Sequence, residues 1–330
     1  TTYDEYAVFG NATWHFTDRF DVQFGGRYAE NRQKYNEVDS GPALPNIGLT
    51  DPFVVPRQRA DDGTFTFLVA PRFRYTPDLM MYARIASGYR PGGINAQAPL
   101  AGLPPTFDPD KTINYELGIK ALIFDGKLSF DASLYYIDWK DVQLSQQDVA
   151  TGISFFTNGG KARSTGAEFA LSSAPLNGMT VTATLALDNA ELRSNLPPAA
   201  GYGFSGDQLP FSAPLTATVG VDQQFHLGEG LIAFAGGLVS YSGERKAAFP
   251  NTLPAPETPI RNEFPNYTTV NLRAGLIYED WRMSLFAQNV GDEHGIVSGG
   301  PRGSVATQTA PYGYFVVQPR TYGLSLAKDF

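Results

Sequence analysis

Stretches of alternating apolar and polar residues in this chain are joined by connections that are short and long in turn. Residues 6–16 and 20–35 are separated by the short turn 17–19, and the long segment 37–62 precedes the next such stretch. The same order of short turn and long loop recurs to the end of the chain, with one brief outer turn at 148–152 as the exception. Because successive side chains of a strand point to opposite faces, this pattern predicts β-strands.

We count about thirteen predicted strands and no credible helix, which indicates an antiparallel all-β architecture. β-Sandwiches and propellers also alternate apolar and polar residues, so alternation alone does not separate them from a barrel. Short turns at one rim and long loops at the other are typical of a transmembrane β-barrel. No motif repeats with a period of about forty to fifty residues, which weighs against a propeller. The sequence therefore predicts an antiparallel transmembrane β-barrel with short periplasmic turns and long extracellular loops.

Composition and motifs exclude several classes of function. A formal net charge of -8 argues against nucleic acid as a partner, because phosphate binding needs a basic face. There is no cysteine to form a thiolate metal site, and His15, His226 and His294 lack the paired spacing of metal ligands. Asp108 and Asp110, either side of a proline, suit loop turn chemistry better than cation binding. No catalytic motif is present. We expect no catalytic residue, no metal site and no cofactor.

The two faces of the predicted strands differ in a way that assigns inside and outside. One face carries Phe, Leu, Val and Ala, and the other carries many charged residues. Burying those charges in a dry core would cost several kcal/mol for each poorly paired ion, whereas a hydrated lumen removes that cost. Tyr115, Tyr136, Tyr278 and Trp281 lie near strand ends, where aromatic girdles belong. We therefore predict that the following polar residues face the lumen: Arg72, Arg74, Arg84, Glu116, Lys120, Asp131, Glu168, Arg273 and Arg282.

Asp125-Gly126 predicts the register of one hairpin. Asp-Gly is a preferred central pair of a type I′ turn, so the strand pairing follows by counting outward from it. On one face every predicted pair is apolar or aromatic, from Ile123 with Leu128 to Tyr115 with Tyr136. On the other face Lys120 is predicted to lie opposite Asp131. A slip of one residue would turn the lipid-facing groups inward.

The chain closes on an aromatic-lined strand, in which Tyr322, Leu324, Leu326 and Phe330 share one face. This strand resembles the carboxyl-terminal strand of TonB-dependent outer-membrane receptors, which we interpret as a membrane-assembly signal. Four further segments resemble the same family in the same order along the chain. They are NYELGIK (114–120), FDGKLSFDASLYYIDWKDVQ (124–143), NGGKARSTGAEF (158–169) and NLRAGLIYEDWRMSLFAQNVGDEH (271–294).

This resemblance implies a barrel of about 22 strands with a plugged lumen. Residues 1–330 would then supply the last thirteen strands, without the plug domain, the TonB-contacting motif or the first strands. The resemblance further implies an active transporter in the outer membrane of a Gram-negative bacterium, energised through the TonB complex and surrounded by outer-membrane lipid and lipopolysaccharide. Its expected substrate is a ferric-siderophore complex, so that iron is carried only as part of the chelate.

Aromatic and cationic residues near the long loops are the candidates for ligand contact, because ferric siderophores are often anionic and aromatic. They are Tyr89, Arg90, Tyr202, Phe204, Arg261, Arg302, Tyr312 and Tyr314. In the alternative interpretation the aromatic residues belong to the girdle and the arginines bind lipopolysaccharide phosphates. Other functions left open are uptake of cobalamin, a saccharide or another large nutrient, passage through a passive porin, and carbohydrate binding by a soluble β-sandwich or solenoid.

Overall fold

A computed structural model describes residues 1–45, 50–148, 153–197, 202–249, 261–301 and 312–329. In chain order the strands are β1 Thr2–His15, β2 Phe20–Asp39, β3 Phe53–Thr76, β4 Leu79–Arg90, β5 Gly93–Ile94, β6 Thr106–Phe107, β7 Asp110–Ile123, β8 Leu128–Lys140, β9 Gln143–Gln147, β10 Ser154–Asn158, β11 Lys161–Ser173, β12 Met179–Leu192, β13 Leu215–Gly228, β14 Leu231–Ser242, β15 Arg245–Lys246, β16 Glu263–Phe264, β17 Tyr267–Tyr278, β18 Trp281–Gln288, β19 Ile296–Pro301, β20 Tyr312–Val316 and β21 Thr321–Lys328. A single turn of 3₁₀-helix spans Ala98–Ala101. Among the described residues no helix is long and apolar enough to cross a membrane.

Thirteen strands form one antiparallel sheet in the order β1-β2-β3-β4-β7-β8-β11-β12-β13-β14-β17-β18-β21. The eight remaining strands form two-stranded sheets within the long connections. The prediction of a thirteen-strand antiparallel sheet is therefore confirmed. In the described part of the chain β1 and β21 are not paired with each other, so this ladder is open at both edges.

Connections alternate between short and long more regularly than the sequence suggested. β8 ends at Lys140 and the main sheet resumes only at Lys161, after the hairpin of β9 and β10. Asp141 and Gly160 have φ of 56° and 62°, a left-handed conformation that interrupts a strand on either side of this hairpin. The predicted brief turn at 148–152 is thus the tip of a long connection, and its residues 149–152 lie outside the described part.

The loop predicted at 37–62 is shorter than expected. The ladder between β2 and β3 continues to Asp39 opposite Phe53, with a bulge between Tyr35 and Glu37. Residues 57–62 of β3 are almost all polar, so this part of the strand shows no alternation of apolar and polar side chains. Cross-strand polar pairing, such as Arg32 opposite Asp61, sustains this part of the hairpin instead.

The hairpin register predicted from Asp125-Gly126 is confirmed. Ile123 pairs with Leu128, Lys120 with Asp131 and Tyr115 with Tyr136, as counting outward required. Asp125 and Gly126 have φ of 55° and 81°, the signs that a type I′ turn needs. The Lys127 N–H donates to the Phe124 carbonyl across the turn at 3.2 Å.

Large apolar side chains on one face of the sheet remain exposed. Leu117 is 60% exposed, Leu134 59% and Leu285 61%. The main buried apolar cluster lies instead where the long connections pack on strand ends, and consists of Val142, Ala162, Ala190, Leu192, Leu196, Leu209 and Phe249. A contiguous apolar surface of this extent indicates a lipid or protein partner.

On the opposite face, four aromatic side chains lie over glycines of the neighbouring strand. The pairs are Tyr82 with Gly118, Tyr135 with Gly166, Phe234 with Gly275 and Phe286 with Gly323. A Cβ added at Gly118 would lie 2.4 Å from the Tyr82 ring, and one added at Gly323 would lie 2.1 Å from the Phe286 ring. These glycines therefore leave room for the cross-strand rings to lie flat along the sheet.

Candidate ligand site at the long-loop end

The nine polar residues predicted to face the lumen share one face of the sheet, because the register places them in line across the strands. Arg84 donates to Glu116 and Lys120 donates to Asp131. The Arg273 Nη2 atom lies 2.7 Å from Asp222 Oδ1. This surface, which we call the polar face, is therefore largely neutralised by cross-strand ion pairs.

Arg282 and Glu168 complete the polar face in different ways. The Arg282 guanidinium lies 5.9 Å from the centroid of the Phe234 ring, a cation–π contact. Glu168 lines a cavity of about 640 Å³ together with Arg84 and Lys120. No cation lies within 4.0 Å of the Glu168 carboxylate in the part of the chain that the structure describes.

A buried carboxylate holds the polar face together near the short turns. Asp21, whose side chain is 0% exposed, accepts from Arg72 Nε and Arg74 Nη1, each at 2.6 Å. The His15 Nδ1 atom lies 3.7 Å from the same carboxylate. Two guanidinium groups on β3 thus secure Asp21 on β2.

Nearer the long loops, a cavity of about 510 Å³ opens on the polar face. Its lining brings together two of the predicted ligand residues with side chains from β7, β8, β11, β12 and the 193–214 connection. The lining residues are Gly88, Tyr89, Arg90, Asp110, Thr112, Ile137, Trp139, Ser164, Asp188, Ala190 and Leu209. We call this space the loop-end cavity. It combines aromatic rings with acidic and hydroxyl groups.

Arg90 is bound within the protein. Its Nε donates to Asp110 Oδ2 at 2.9 Å, its Nη2 donates to the same oxygen, and its guanidinium lies 5.1 Å from the centroid of the Trp139 ring. The Trp139 Nε1–H and the Gln143 backbone N–H also donate to Asp110, at 3.0 and 3.3 Å. The Asp110 carboxylate therefore accepts hydrogen bonds from three residues. Because Arg90 is paired with it, Arg90 has less positive charge available for a ligand than the sequence-based hypothesis requires.

Tyr89 belongs to a second network. Its hydroxyl accepts from Asn31 Nδ2 at 3.1 Å, and Asn31 also donates to Asp62 Oδ1 at 2.8 Å. The Tyr3 hydroxyl donates to Asn31 Oδ1 at 2.6 Å. Asn31 is buried, and its side-chain amide both donates and accepts hydrogen bonds. This network holds Tyr89 at the edge of the loop-end cavity.

Asp188 supplies the acidic group on the opposite wall of the cavity. It accepts from Ser164 Oγ at 2.5 Å, Tyr135 Oη at 3.0 Å and Ser212 Oγ at 3.1 Å. These three donors are uncharged hydroxyls, whereas Asp110 accepts from the Arg90 guanidinium. The loop-end cavity is thus lined by one carboxylate paired with a guanidinium and one bonded by hydroxyl groups.

Other predicted ligand residues lie in the neighbouring loops. Arg261 donates to the carbonyls of Ala247 and Gln208, at 3.0 Å from Nε and 2.6 Å from Nη1, and lies 4.5 Å from the Phe249 ring centroid. Burial lowers the pKa of the Arg261 guanidinium. Phe204 is half-exposed, and its backbone N–H donates to Asp207. Arg261 thereby ties two connections together.

Tyr312 and Tyr314 pack against each other in β20, with ring centroids 5.0 Å apart. Tyr314 meets the edge of Phe264, which in turn stacks on Phe211 at 5.9 Å. Phe211 lies two residues beyond Leu209 of the loop-end cavity, so residues 209–211 join the cavity to this aromatic cluster. Tyr202 is partly exposed beside Gly203. The prediction for Arg302 lies outside the described residues.

Sequence reasoning missed the acidic and indole groups of the cavity. Asp110 was interpreted as turn chemistry, yet it pairs with Arg90 as the first residue of β7 opposite the last of β4. A long connection separates the two strands, so the only signal in the sequence is the opposite charge of the residues at its two ends. Trp139 and Asp188 carry no such signal, because their positions depend on strands and loops distant in sequence. Among the described residues no cluster of three metal-ligating side chains occurs.

The carboxyl-terminal strand has the predicted alternation. Tyr322, Leu324 and Leu326 pair with Ala287, Leu285 and Met283 on the apolar face, and the three are 67%, 65% and 63% exposed. The remaining residue of that prediction, Phe330, lies outside the described part.

A family model for the TonB dependent receptor-like β-barrel matches residues 1–290. The chain belongs to this family. Its members are transport receptors of the Gram-negative outer membrane. Among curated proteins, the chain is similar to the pesticin receptor of Yersinia enterocolitica, with 36% identity over 169 residues that make up 51% of this chain and 23% of the relative. The pesticin receptor of Yersinia pestis is 34% identical over the same length.

Solved structures share the fold of this receptor barrel. The ferric yersiniabactin uptake receptor of Yersinia pestis superposes with a TM-score of 0.77 at 22% identity, covering 99% of this chain and 46% of that one. A copper transporter superposes with a TM-score of 0.73 at 17% identity, covering 99% of this chain and 48% of that one. The chain thus spans less than half the length of the receptors it superposes on.

Proposed function

We propose that this chain is part of an outer-membrane receptor that binds and imports ferric-siderophore complexes with energy from the TonB complex. The observation that carries the proposal is the open thirteen-strand sheet of this family, with one ion-paired face and one exposed apolar face. In a larger barrel the polar face lines a hydrated lumen and the apolar face meets lipid and lipopolysaccharide. The plug domain and the remaining strands are supplied outside residues 1–330.

The ligand class is supported by the loop-end cavity and by the relatives. Tyr89 and Trp139 present aromatic surface, and hydroxyl groups beside them can bond the oxygen atoms of a chelate. Similarity to a ferric yersiniabactin uptake receptor and to pesticin receptors favours iron chelates over cobalamin or a saccharide. We propose contact with ligand for Tyr89, Arg90, Tyr202, Phe204, Arg261, Arg302, Tyr312 and Tyr314. The receptor changes no covalent bond, and iron enters only within the chelate.

The decisive experiment is growth of a gene-deletion strain on iron-restricted medium, with single purified ferric siderophores of phenolate, catecholate and citrate types. We expect the full-length gene to restore growth on at least one chelate, and removal of TonB to abolish that growth. A passive porin would be unaffected by loss of TonB. Growth that is unchanged by the deletion on every ferric chelate would contradict the proposal. A parallel experiment on copper-limited medium tests for copper transport, the activity of one structural neighbour.

The loop-end cavity is tested by the double substitution Tyr89→Ala and Trp139→Ala. Removing two aromatic surfaces should weaken binding of the transported chelate by at least tenfold, because each ring supplies stacking area. Tyr6→Ala is the matched control, since Tyr6 is 61% exposed on the apolar face. Equal affinities in the two variants would place the ligand elsewhere.

A further inference from the structure

Three lysines form a row across neighbouring strands at the long-loop end. Lys111 on β7 pairs with Lys140 on β8, and Lys140 pairs with Lys161 on β11. Directly opposite residues have Cβ atoms about 4.5–5.5 Å apart, so the three side chains leave the sheet side by side. All three side chains are exposed. Like charges in this arrangement destabilise a sheet, and a bound anion would remove that cost.

The lysine row lies on the apolar face, in line with the exposed leucines below it. Lys111 lies four positions from Tyr115, whose ring lies 6.2 Å from that of Tyr136. Four residues span about 13 Å along a strand. With the usual barrel tilt of about 35–45°, the row lies about 10 Å beyond this aromatic pair along the membrane normal. That is the depth of lipid headgroups, just outside the aromatic girdle.

Acidic neighbours neutralise little of the lysine row. Asp138 lies 3.6 Å from Lys140, and Glu191 is already engaged by Arg163 at 2.7 Å. In the described part of the chain no carboxylate lies within 4.0 Å of Lys111 or Lys161. The row therefore keeps a net positive charge at the level where it faces the membrane.

A groove adjoins the lysine row on the same face. The ladder between β3 and β4 stops at Leu68 opposite Ala86, and the next N–H, of Phe67, donates to Ser87 Oγ at 2.8 Å. The resulting opening has a volume of about 210 Å³. Its lining combines aromatic rings with two of the lysines and comprises Thr64, Phe65, Phe67, Ser87, Gly88, Lys111, Thr112, Ile113, Asp138 and Lys140.

We propose that the lysine row and this groove bind a phosphate-bearing lipid of the outer leaflet. The ammonium groups meet its headgroup phosphates, and Phe65, Phe67 and Ile113 cover the first part of its acyl region. A free phosphate would use only the lysines, whereas continuity with the apolar face favours a lipid. The proposal rests on the outer-membrane placement of the barrel and adds a specific lipid site to it.

The test compares binding of bisphosphorylated lipid A to the purified full-length protein in mild detergent. The lysine-row variant carries K111Q, K140Q and K161Q. Each lysine near an anionic surface contributes about a factor of five, so we expect affinity to fall about hundredfold. The arginine version, K111R, K140R and K161R, should stay within a few-fold of wild type. K34Q, K127Q and K246Q together form the charge-matched control and should bind as wild type.

Two further arms identify the lipid as the ligand. Dephosphorylated lipid A should bind the wild type as weakly as bisphosphorylated lipid A binds the lysine-row variant, and millimolar inorganic phosphate should not displace bound lipid. Wild-type affinity in the lysine-row variant would overturn the proposal, as would full displacement by inorganic phosphate. Heat-modifiable migration in detergent reports whether each variant folds. If the triple variant does not fold, K140Q alone replaces it, with an expected loss of lipid A affinity of about fivefold. Ferric-chelate growth is measured in parallel, so that loss of lipid binding and loss of transport are distinguished.

Discussion

Two buried carboxylates, one at each end of the sheet, are held by different kinds of partner. Asp21, near the short turns, accepts from Arg72 and Arg74, which all belong to the single strand pair β2–β3. Asp110, near the long loops, accepts from Arg90 on β4, Trp139 on β8 and the backbone of Gln143 on β9. The first carboxylate secures neighbouring strands, and the second secures a loop against the sheet.

This difference assigns separate tasks to the two ends of the molecule. At the short-turn end the interactions repeat what the strand register already specifies, so they add stability without shaping a site. At the long-loop end, polar groups from segments distant in sequence converge on one cavity. Changes at the first end should lower the stability of the barrel, and changes at the second should alter loop order and ligand binding.

The largest effect is expected from removing both guanidinium groups at the short-turn end. Arg72→Met with Arg74→Met leaves the Asp21 carboxylate buried without a strong partner, and breaking a buried charge pair in this way costs about 3–5 kcal/mol. We expect the free energy of unfolding in urea to fall by that amount. Adding Asp21→Asn should recover a large part of the loss, because it removes the unpaired charge. A double variant as stable as wild type would show that water reaches Asp21.

A smaller loss of stability is expected in the middle of the sheet, where the substitution disturbs side-chain packing and removes no charge. Gly118→Ala would place a methyl group 2.4 Å from the Tyr82 ring, and overpacking of this kind costs about 1–3 kcal/mol. Gly10→Ala is the control, since a Cβ there has nothing within 4 Å. Urea unfolding should separate the two variants. Equal stabilities would mean that the Tyr82 ring moves aside freely.

Arg90→Met tests the long-loop end. Asp110 keeps the Trp139 and Gln143 donors, so the stability loss should be about 1.5 kcal/mol, the low end for a hydrogen bond to a charged group. The sharper consequence is local, because Gln143 begins β9. Hydrogen exchange at the amides of Gln143–Gln147 should accelerate while amides of β2 and β3 stay protected. Faster hydrogen exchange at all amides of the sheet would contradict the proposed difference between the two ends.

The same distinction explains what could be predicted from the sequence. Asp125-Gly126 fixed one hairpin to the residue, because turn chemistry and period-two alternation are local properties. The extension of β3 back to Phe53 is not predicted, because residues 57–62 are almost all polar and show no alternation of apolar and polar side chains. Trp139 on β8 and Asp188 on β12 meet at the loop-end cavity although their strands are not neighbours, and Leu209 joins them from a long connection. No local pattern records such contacts.

The smallest effect is expected at the predicted lumen pair Lys120 and Asp131. The two groups are directly opposite in the ladder and hydrogen-bonded, but their side chains are 51% and 38% exposed. Exposed pairs contribute about 0.2–1 kcal/mol, because water screens the attraction and two long side chains lose freedom. A double-mutant cycle with Lys120→Met and Asp131→Asn should give a coupling energy in that range, and about 1 M salt should reduce it towards zero. A coupling above about 2 kcal/mol that salt leaves unchanged would mean that the polar face is dry and packed. The assignment of that face to a hydrated lumen would then be wrong, whatever the register.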